Sequence, residues 1–197
     1  MIHRALRLPA LIFSLGLAIG PTMVAQTPTV DTYTIDASHS EIGFRIRHLV
    51  ARTSGRFTAF SGTIHVDTKD ITKSSVEVTI QAASINTDNA KRDEHLRNAD
   101  FFDVAKYPTI TFKSTAVKEL EKGKLQITGV LTLHGVSKTI TFPMTHAGTH
   151  PGMKPGTVVA GFIDGMLTIN RNDFGMKAYP GVLGDEVEIR LDIEAGK

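Results

Sequence analysis

Chemistry needs side chains that can hold a metal, attack a carbon or move a proton, and histidine is the first place to look. Seven histidines follow residue 25: His39, His48, His65, His95, His134, His146 and His150. None stands in an H-x-H or HExxH arrangement, and no carboxylate cluster accompanies them at ligand spacing, so no metal site is expected. The chain has no cysteine. That removes thiolate catalysis, Cys-ligated zinc and disulfides together. Serine chemistry lacks a GxSxG elbow, and "KSSVE" sits at a strand start where turn chemistry accounts for it. "SGRFTAFSG" and "GKLQITG" carry glycines without phosphate-loop spacing. No catalytic residue and no cofactor are expected.

Two constellations remain. "INRNDFG", Ile169 to Gly175, gathers Asn170, Arg171, Asn172 and Asp173 at a strand end. It reads either as a loop held by Asx-turns and an Arg171–carboxylate pair, or as a polar rim of Asn170, Arg171 and Asp173 that selects a ligand head group. His48 shares the parity of Ile42, Phe44 and Ile46 and is expected to face inward with them. It is either a hydrogen-bonded core histidine or a polar anchor in an apolar cavity. His134 reads as a polar turn residue.

The elements that must position these groups are strands. "GVLTLHGVSKTITFPM", Gly129 to Met144, is two strands around a tight turn at His134-Gly135. Leu131 and Leu133 point one way with Ile140, Phe142 and Met144, and Thr132, Thr139 and Thr141 point the other. The same alternation runs through Ile42–Ile46, Val76–Ile80, Ile110–Phe112 and Val187–Ile193. A phase slip beside Ser61-Gly62 predicts a β-bulge. "VVAGFIDGMLTIN" is apolar on both parities, which predicts a strand whose outer face is also covered, by the one helical segment. That segment lies in Asn86 to Asp103, with Thr87, Asp88 and Asn89 as candidate caps, two to three turns, and a narrow apolar edge.

Several strands run well beyond the usual five or six residues, which favours a closed barrel of about eight over a sandwich. Closure also removes the edges on which long apolar strands aggregate. The side chains expected to face the lumen, and any ligand in it, are Ile42, Phe44, Ile46, His48, Phe57, Ile80, Phe112, Leu131, Leu133, Phe142, Met144, Phe162 and Met166.

The first 25 residues read as a signal peptide: Arg4 and Arg7 precede the short apolar run Ala10 to Gly20, which Pro21 ends. Residues 26–31 read as a disordered lead, and 32–197 as a single domain. Removing the leader, which carries two basic residues and no acidic one, cancels the formal +2 charge. A neutral surface without tryptophan or basic–aromatic clusters argues against nucleic acid. No later apolar run reaches the length of a membrane span.

Five stretches carry a resemblance: "YTIDASHSEIGFRIRHL", "GRFTAFSGTIHVD", "SINTDNAKRDEHLRNADFFDVAKYPTITFKS", "GVLTLHGVSKTITF" and "INRNDFGM". Together, in order over residues 33–194, they resemble the YceI-like family of polyisoprenoid-binding, lipocalin-like proteins. The resemblance implies an all-β fold, an eight-stranded antiparallel up-and-down barrel with a short α-helix packed beside it. It also implies a periplasmic or secreted, non-enzymatic protein whose lumen holds an isoprenoid-type or other long-chain amphiphilic lipid, such as a polyprenyl phosphate or quinone-like molecule. Two alternatives stay open. One is a lipid-acting hydrolase or isomerase using His48 or Asp173 as acid/base. The other is an interaction module whose barrel is filled by Phe44, Phe57, Phe112, Phe142 and Phe162. Association into a homodimer is also left open.

Overall fold

Alternating residues become strands only where a partner satisfies their backbone groups, and the computed structural model, which describes residues 29–197, pairs them in eleven segments. These are β1 (Val30–Ile35), β2 (Glu41–His48), β3 (Ala51–Phe57), β4 (Phe60–Asp67), β5 (Ser75–Gln81), β6 (Ile85–Asn86), β7 (Thr109–Glu121), β8 (Lys124–Leu133), β9 (Val136–Pro151), β10 (Val158–Asn170) and β11 (Leu183–Gly196). The expected signal peptide and residues 26–28 of the lead lie outside the described residues. Val30 and Asp31, also assigned to that lead, are instead strand residues paired with Asp67 and Val66.

The ladders run β1-β4-β5-β7-β8-β9-β10-β11-β2-β3-β6, all antiparallel, and β1 pairs with β11 as well. The branch disappears once three bent strands are recognised. β1 and β2 are halves separated by residues 36–40, β3 and β4 are separated by Thr58-Ala59, and β5 and β6 by a single 3-10 turn at Ala82–Ser84. β11 pairs with β2 from Leu183 to Asp192 and with β1 through Ala195 and Gly196. Eight long strands in up-and-down order therefore close into a barrel. The phase slip expected beside Ser61-Gly62 falls at Thr58-Ala59, so that Phe57 and Phe60 are both buried.

The hairpin at His134-Gly135 has both turn residues left-handed, at φ 52° and 73°. This is the turn whose twist matches flanking strands. Gly135 is required twice over, because a Cβ there would also lie 2.4 Å from the Tyr107 ring. His134 does more than turn the chain. Its Nδ1–H donates to the Phe174 carbonyl at 3.0 Å and docks the next loop.

β10 corrects the expectation of a strand covered on both sides. Its register against β11 shifts between Phe162 and Gly165, with Asp164 at φ 60° and its N–H donated to Asp192 Oδ1. Ala160 and Phe162 face inward before the bulge, and Leu167 and Ile169 face inward after it. Ile163 and Met166 are left outside, 38% and 55% exposed, and the helix does not cover them. Met166 is therefore not a lumen residue. One bulge, not a double-faced strand, explains the apolar run on both parities.

The helix, α1 (Ala90–Arg97), is capped by Asn89, which accepts from the Arg92 N–H at 3.0 Å. Its hold on the barrel is mostly polar. Buried Asp93 accepts from the Thr87 N–H and hydroxyl at 2.9 and 2.5 Å, and Arg97 donates to the Ala83 and Ile85 carbonyls. Leu96 supplies the narrow apolar edge.

Two stability predictions come from this architecture. Gly135→Ala should cost about 1–3 kcal/mol, because it places a Cβ at positive φ against a ring, and urea unfolding measures it. His146 stacks on Phe162 at 5.0 Å with its Nε2 buried and unpartnered, and burial pushes its pKa below 6.5. The unfolded chain then binds the extra proton first, so the stability of the neutral ring is present above pH 6.5 and falls as the pH drops below it. His39, whose pKa is raised by Asp36, contributes with the opposite sign: its stability is present below pH 6.5 and is lost as the pH rises above it. The difference in urea midpoint between wild type and His146→Phe isolates the effect. Wild type should lose more than the variant between about pH 7.5 and about pH 5.5.

Candidate functional site

The inward side chains do not meet across the barrel. They surround a cavity of about 590 Å³ that runs from the helix end to the 3-10 turn Ile71–Lys73, room for roughly twenty waters at about 30 Å³ each. β8 shows how the wall is built: Leu125, Ile127, Leu131 and Leu133 line the space at every second position, and Gly129 interrupts them. A Cβ at Gly129 would lie 2.5 Å from Phe112 Cζ, so the Phe112 ring folds flat over the glycine. Phe44 does the same over its cross-strand partner Gly55, whose Cβ would lie 2.4 Å from Phe44 Cζ. The remaining rings pair along the wall, Phe112 with Phe142 at 5.5 Å and Phe57 with Phe44 at 5.9 Å and Phe102 at 5.7 Å. The phenylalanines line the lumen and do not fill it.

Ile42, Phe44, Ile46, His48, Phe57, Ile80, Phe112, Leu131, Leu133, Phe142, Met144 and Phe162 all border this cavity, and Met166 does not. His48 is exposed, at the mouth, and is neither a core histidine nor an anchor in the depth.

Of the three residues expected as a polar rim, Arg171 alone borders the cavity, and it is not free to select a head group. Arg171 is 2% exposed and its guanidinium is already committed. Nε donates to the Gly184 carbonyl at 2.9 Å, Nη1 to those of Met176 and Ala178 at 2.7 and 2.8 Å, and Nη2 to Asp185 Oδ1 at 3.3 Å. It ties loop 175–182 and the start of β11 to the barrel end. Asn170 caps the 3-10 turn Arg171–Phe174, and Asp173 is exposed, 3.8 Å from Lys138 Nζ. Neither borders the cavity.

Residues that sequence reasoning passed over stand at the mouth instead. Arg92 holds Thr87 with two donations, Nε to Oγ1 at 2.7 Å and Nη2 to the carbonyl at 2.8 Å. His95, one helical turn on, lies 3.4 Å from the Tyr179 hydroxyl through Nε2. Tyr179 stacks on Phe101 at 5.8 Å. The i, i+3 spacing of Arg92 and His95 was a usable signal, since it places both on one helix face. The far end holds Ser74 and Ser75.

A separate cluster lies at the seam where β1 meets β11. Asp36, His39 and Glu194 bring their ligand atoms within 4.8 Å of one another, although they are far apart in sequence. His39 Nδ1 is 2.9 Å from Asp36 Oδ2. Bonds from Ser38 and His39 hold the Asp36 carboxyl well below the usual carboxylate range.

The model of the YceI-like domain matches residues 33–195. The chain belongs to the YceI-like family. A UPF0312 protein of Vibrio parahaemolyticus is 38% identical over 192 residues, spanning 94% of this chain and 97% of that one. A YceI protein of Campylobacter jejuni, 34% identical, matches with a TM-score of 0.69 over 82% of this chain and 95% of that one. A polyisoprenoid-binding domain from Saccharophagus degradans implicated in plant cell wall breakdown matches at 18% identity, with a TM-score of 0.60 over 83% and 97%. At that identity the likeness is one of fold.

The chemistry of this YceI-like cavity follows from its lining. Among the described residues the wall carries no carboxylate, and the polar groups sit at its two ends. Asp173, one acid/base named for the hydrolase reading, lies outside. Such a space can bind and orient an apolar molecule, with little in its depth to move a proton.

Arg171→Met would leave the Gly184, Met176 and Ala178 carbonyls without their donor. The expected loss is about 3 kcal/mol, read by urea unfolding, with faster limited proteolysis between residues 175 and 185.

Proposed function

We propose that this protein is an exported, non-catalytic carrier that holds one long-chain amphiphilic lipid of isoprenoid type in its barrel. The observation that carries the reading is the open apolar lumen with polar groups confined to its ends. That is the pattern for a ligand with a long hydrocarbon tail and a polar head: the dry wall supplies affinity, and the few polar groups at the mouth supply orientation. The polyisoprenoid-binding domain from Saccharophagus degradans shares the fold and lends its ligand class to the proposal.

The energetics fit such a cargo. Each buried carbon is worth roughly 0.8 kcal/mol relative to water, so three five-carbon units yield about 12 kcal/mol, comparable with the cost of immobilising a ligand of that size. A short fragment would not bind tightly, and a chain long enough to occupy the lumen would. The basic, apolar leader of residues 1–25 supports export, with the periplasm as the destination. Among the described residues no helix is long and apolar enough to cross a membrane. The absence of carboxylates from the described wall supports binding over turnover.

Protein purified gently from its own host and examined by native mass spectrometry should carry a lipid adduct of isoprenoid mass. Ile140→Trp, which pushes an indole from a half-buried wall position into the lumen, should weaken binding of a polyprenyl analogue at least about tenfold. Absence of any adduct, together with unchanged intrinsic fluorescence on titrating the analogue, defeats the proposal.

A further inference from the structure

The hairpin joining β2 to β3 has the wrong residues for its shape. Its two-residue turn, flanked by the His48–Ala51 pair, begins with Leu49 at φ 50°, a conformation that favours glycine. The turn carries Leu49 and Val50 instead, 53% and 102% exposed. Both sites are apolar where turn chemistry and solvent would each choose otherwise. Leu49 is fixed in place, its N–H donated to the Val182 carbonyl at 2.8 Å and its carbonyl bonded by Arg47 Nη1 at 2.8 Å.

The position of this tip gives it meaning. The exposed residues of the cavity wall, His48, Arg92 and Tyr179, all belong to this end of the barrel, and His48 directly precedes Leu49. Leu120 and Met153, exposed at the opposite end, border no part of the cavity. The charges on the tip's own hairpin and the adjoining loop are basic, with exposed Glu186 on the adjacent β11 as the nearby acidic group outside an ion pair. Arg45, Arg47 and Arg52 lie on the hairpin with no acidic residue between Gly43 and Phe57, and exposed Lys177 lies on the neighbouring loop. Arg52 is paired with Glu188 on β11, and Asp185 is held by Arg171. Arg47 and Lys177 have no carboxylate partner among the described residues.

We infer that the Leu49-Val50 tip docks the mouth of the cavity onto an anionic phospholipid bilayer. The two side chains enter the interfacial layer, and Arg47 and Lys177 meet lipid phosphates. The inference rests on the carrier reading for its purpose, since a cargo that lives in a membrane must enter and leave there. An apolar tip beside uncommitted cations is the arrangement that interfacial binding uses: buried apolar area adds to attraction by anionic lipid.

Co-sedimentation of the full mature protein with vesicles tests it. Wild type should sediment with phosphatidylethanolamine/phosphatidylglycerol vesicles, much less with phosphatidylcholine vesicles, and less as salt rises. Leu49→Gly combined with Val50→Asn gives the turn the residues its backbone prefers, so folding should be kept. Its vesicle binding should fall at least about tenfold. Lys177→Ser should cost about fivefold on anionic vesicles only. Titration with a soluble prenyl phosphate of about three five-carbon units, without vesicles, should be unchanged in both variants. No sedimentation of wild type with anionic vesicles, or equal sedimentation of wild type and the double variant, overturns the inference. So does a wild-type dimer in sedimentation velocity that the double variant dissolves, which would assign the tip to a second copy. If wild type sediments as described but binds no isoprenoid in either assay, the carrier reading falls and the docking surface stands.

Discussion

The width of this molecule is set by its backbone. Eight strands whose N–H and C=O groups must all find partners can close only at a limited tilt and stagger, and the resulting interior is wide enough to be packed solid or to hold one small ligand. Which outcome follows depends on how the inward side chains lie. In this chain the aromatic volume is laid along the wall, because Gly129 and Gly55 leave hollows into which Phe112 and Phe44 fold. Side chains at those two positions would drive both rings into the lumen. The cavity is thus a consequence of two missing side chains as much as of many apolar ones.

Closure imposes its own irregularities, and those irregularities position the ends. Three of the eight strands bend, and one of these bends frees β11 to pair with β2 along most of its length and with β1 at its last residues. The seam between β1 and β11 has only two residue pairs, Thr34–Gly196 and Ile35–Ala195, extended by the Asp36 N–H to the Glu194 carbonyl at 2.9 Å. The Asp36, His39 and Glu194 cluster sits on that short seam, so its ionic contacts reinforce the join. The other end is held by buried polar groups. Asp93 bonds Thr87, Arg97 bonds the Ala83 and Ile85 carbonyls, and Arg171 bonds the Met176 and Ala178 carbonyls of the following loop and that of Gly184 at the start of β11. Net contributions of about 1 kcal/mol each are usual for such bonds, far less per residue than the apolar packing of the wall.

The wall was legible in the sequence because its signal is periodic. A side chain that alternates in a strand must face the lumen, and parity alone placed Leu131, Phe142 and Ile42 there. Parity fails where the backbone does something aperiodic. The bulge at Asp164 exchanges the two faces within four residues, and so Met166, counted through from Phe162, was put on the wrong side. The mouth was illegible for another reason. Arg171 lies between Asn170 and Asn172 and Arg92 between Lys91 and Asp93, both in polar surroundings, and nothing local states that the first will be enclosed by carbonyls from residues still to come, while the second keeps its place on a helix facing the opening. The seam cluster joins residues 36 and 39 to residue 194, a distance in sequence that no spacing rule spans. Periodic local order is written in the chain, whereas contacts assembled by closure appear only when the sheet is rolled.

One stretch of the closed barrel keeps an unpaired edge, in a place that bears on how the proposed lipid would enter. β6 is two residues long and pairs only with Arg56 and Phe57, so β3 from Ala51 to Gly55 has a strand on one side and none on the other. An open edge invites pairing with other chains. Here it is short, it carries an arginine, and it borders the mouth, with Thr53 on the cavity wall. For a lipid tail leaving a bilayer the relevant comparison is one apolar medium with another, so the burial term that makes binding from water so favourable largely cancels. Affinity relative to the membrane is then left to packing and to the few polar groups at the mouth. A lumen complementary to every carbon of its cargo would hold it irreversibly. On the carrier reading, a wall of Leu, Ile and Phe side chains with an unpaired edge and a polar-anchored helix beside its mouth leaves that balance to be decided at the mouth, where the tail must pass.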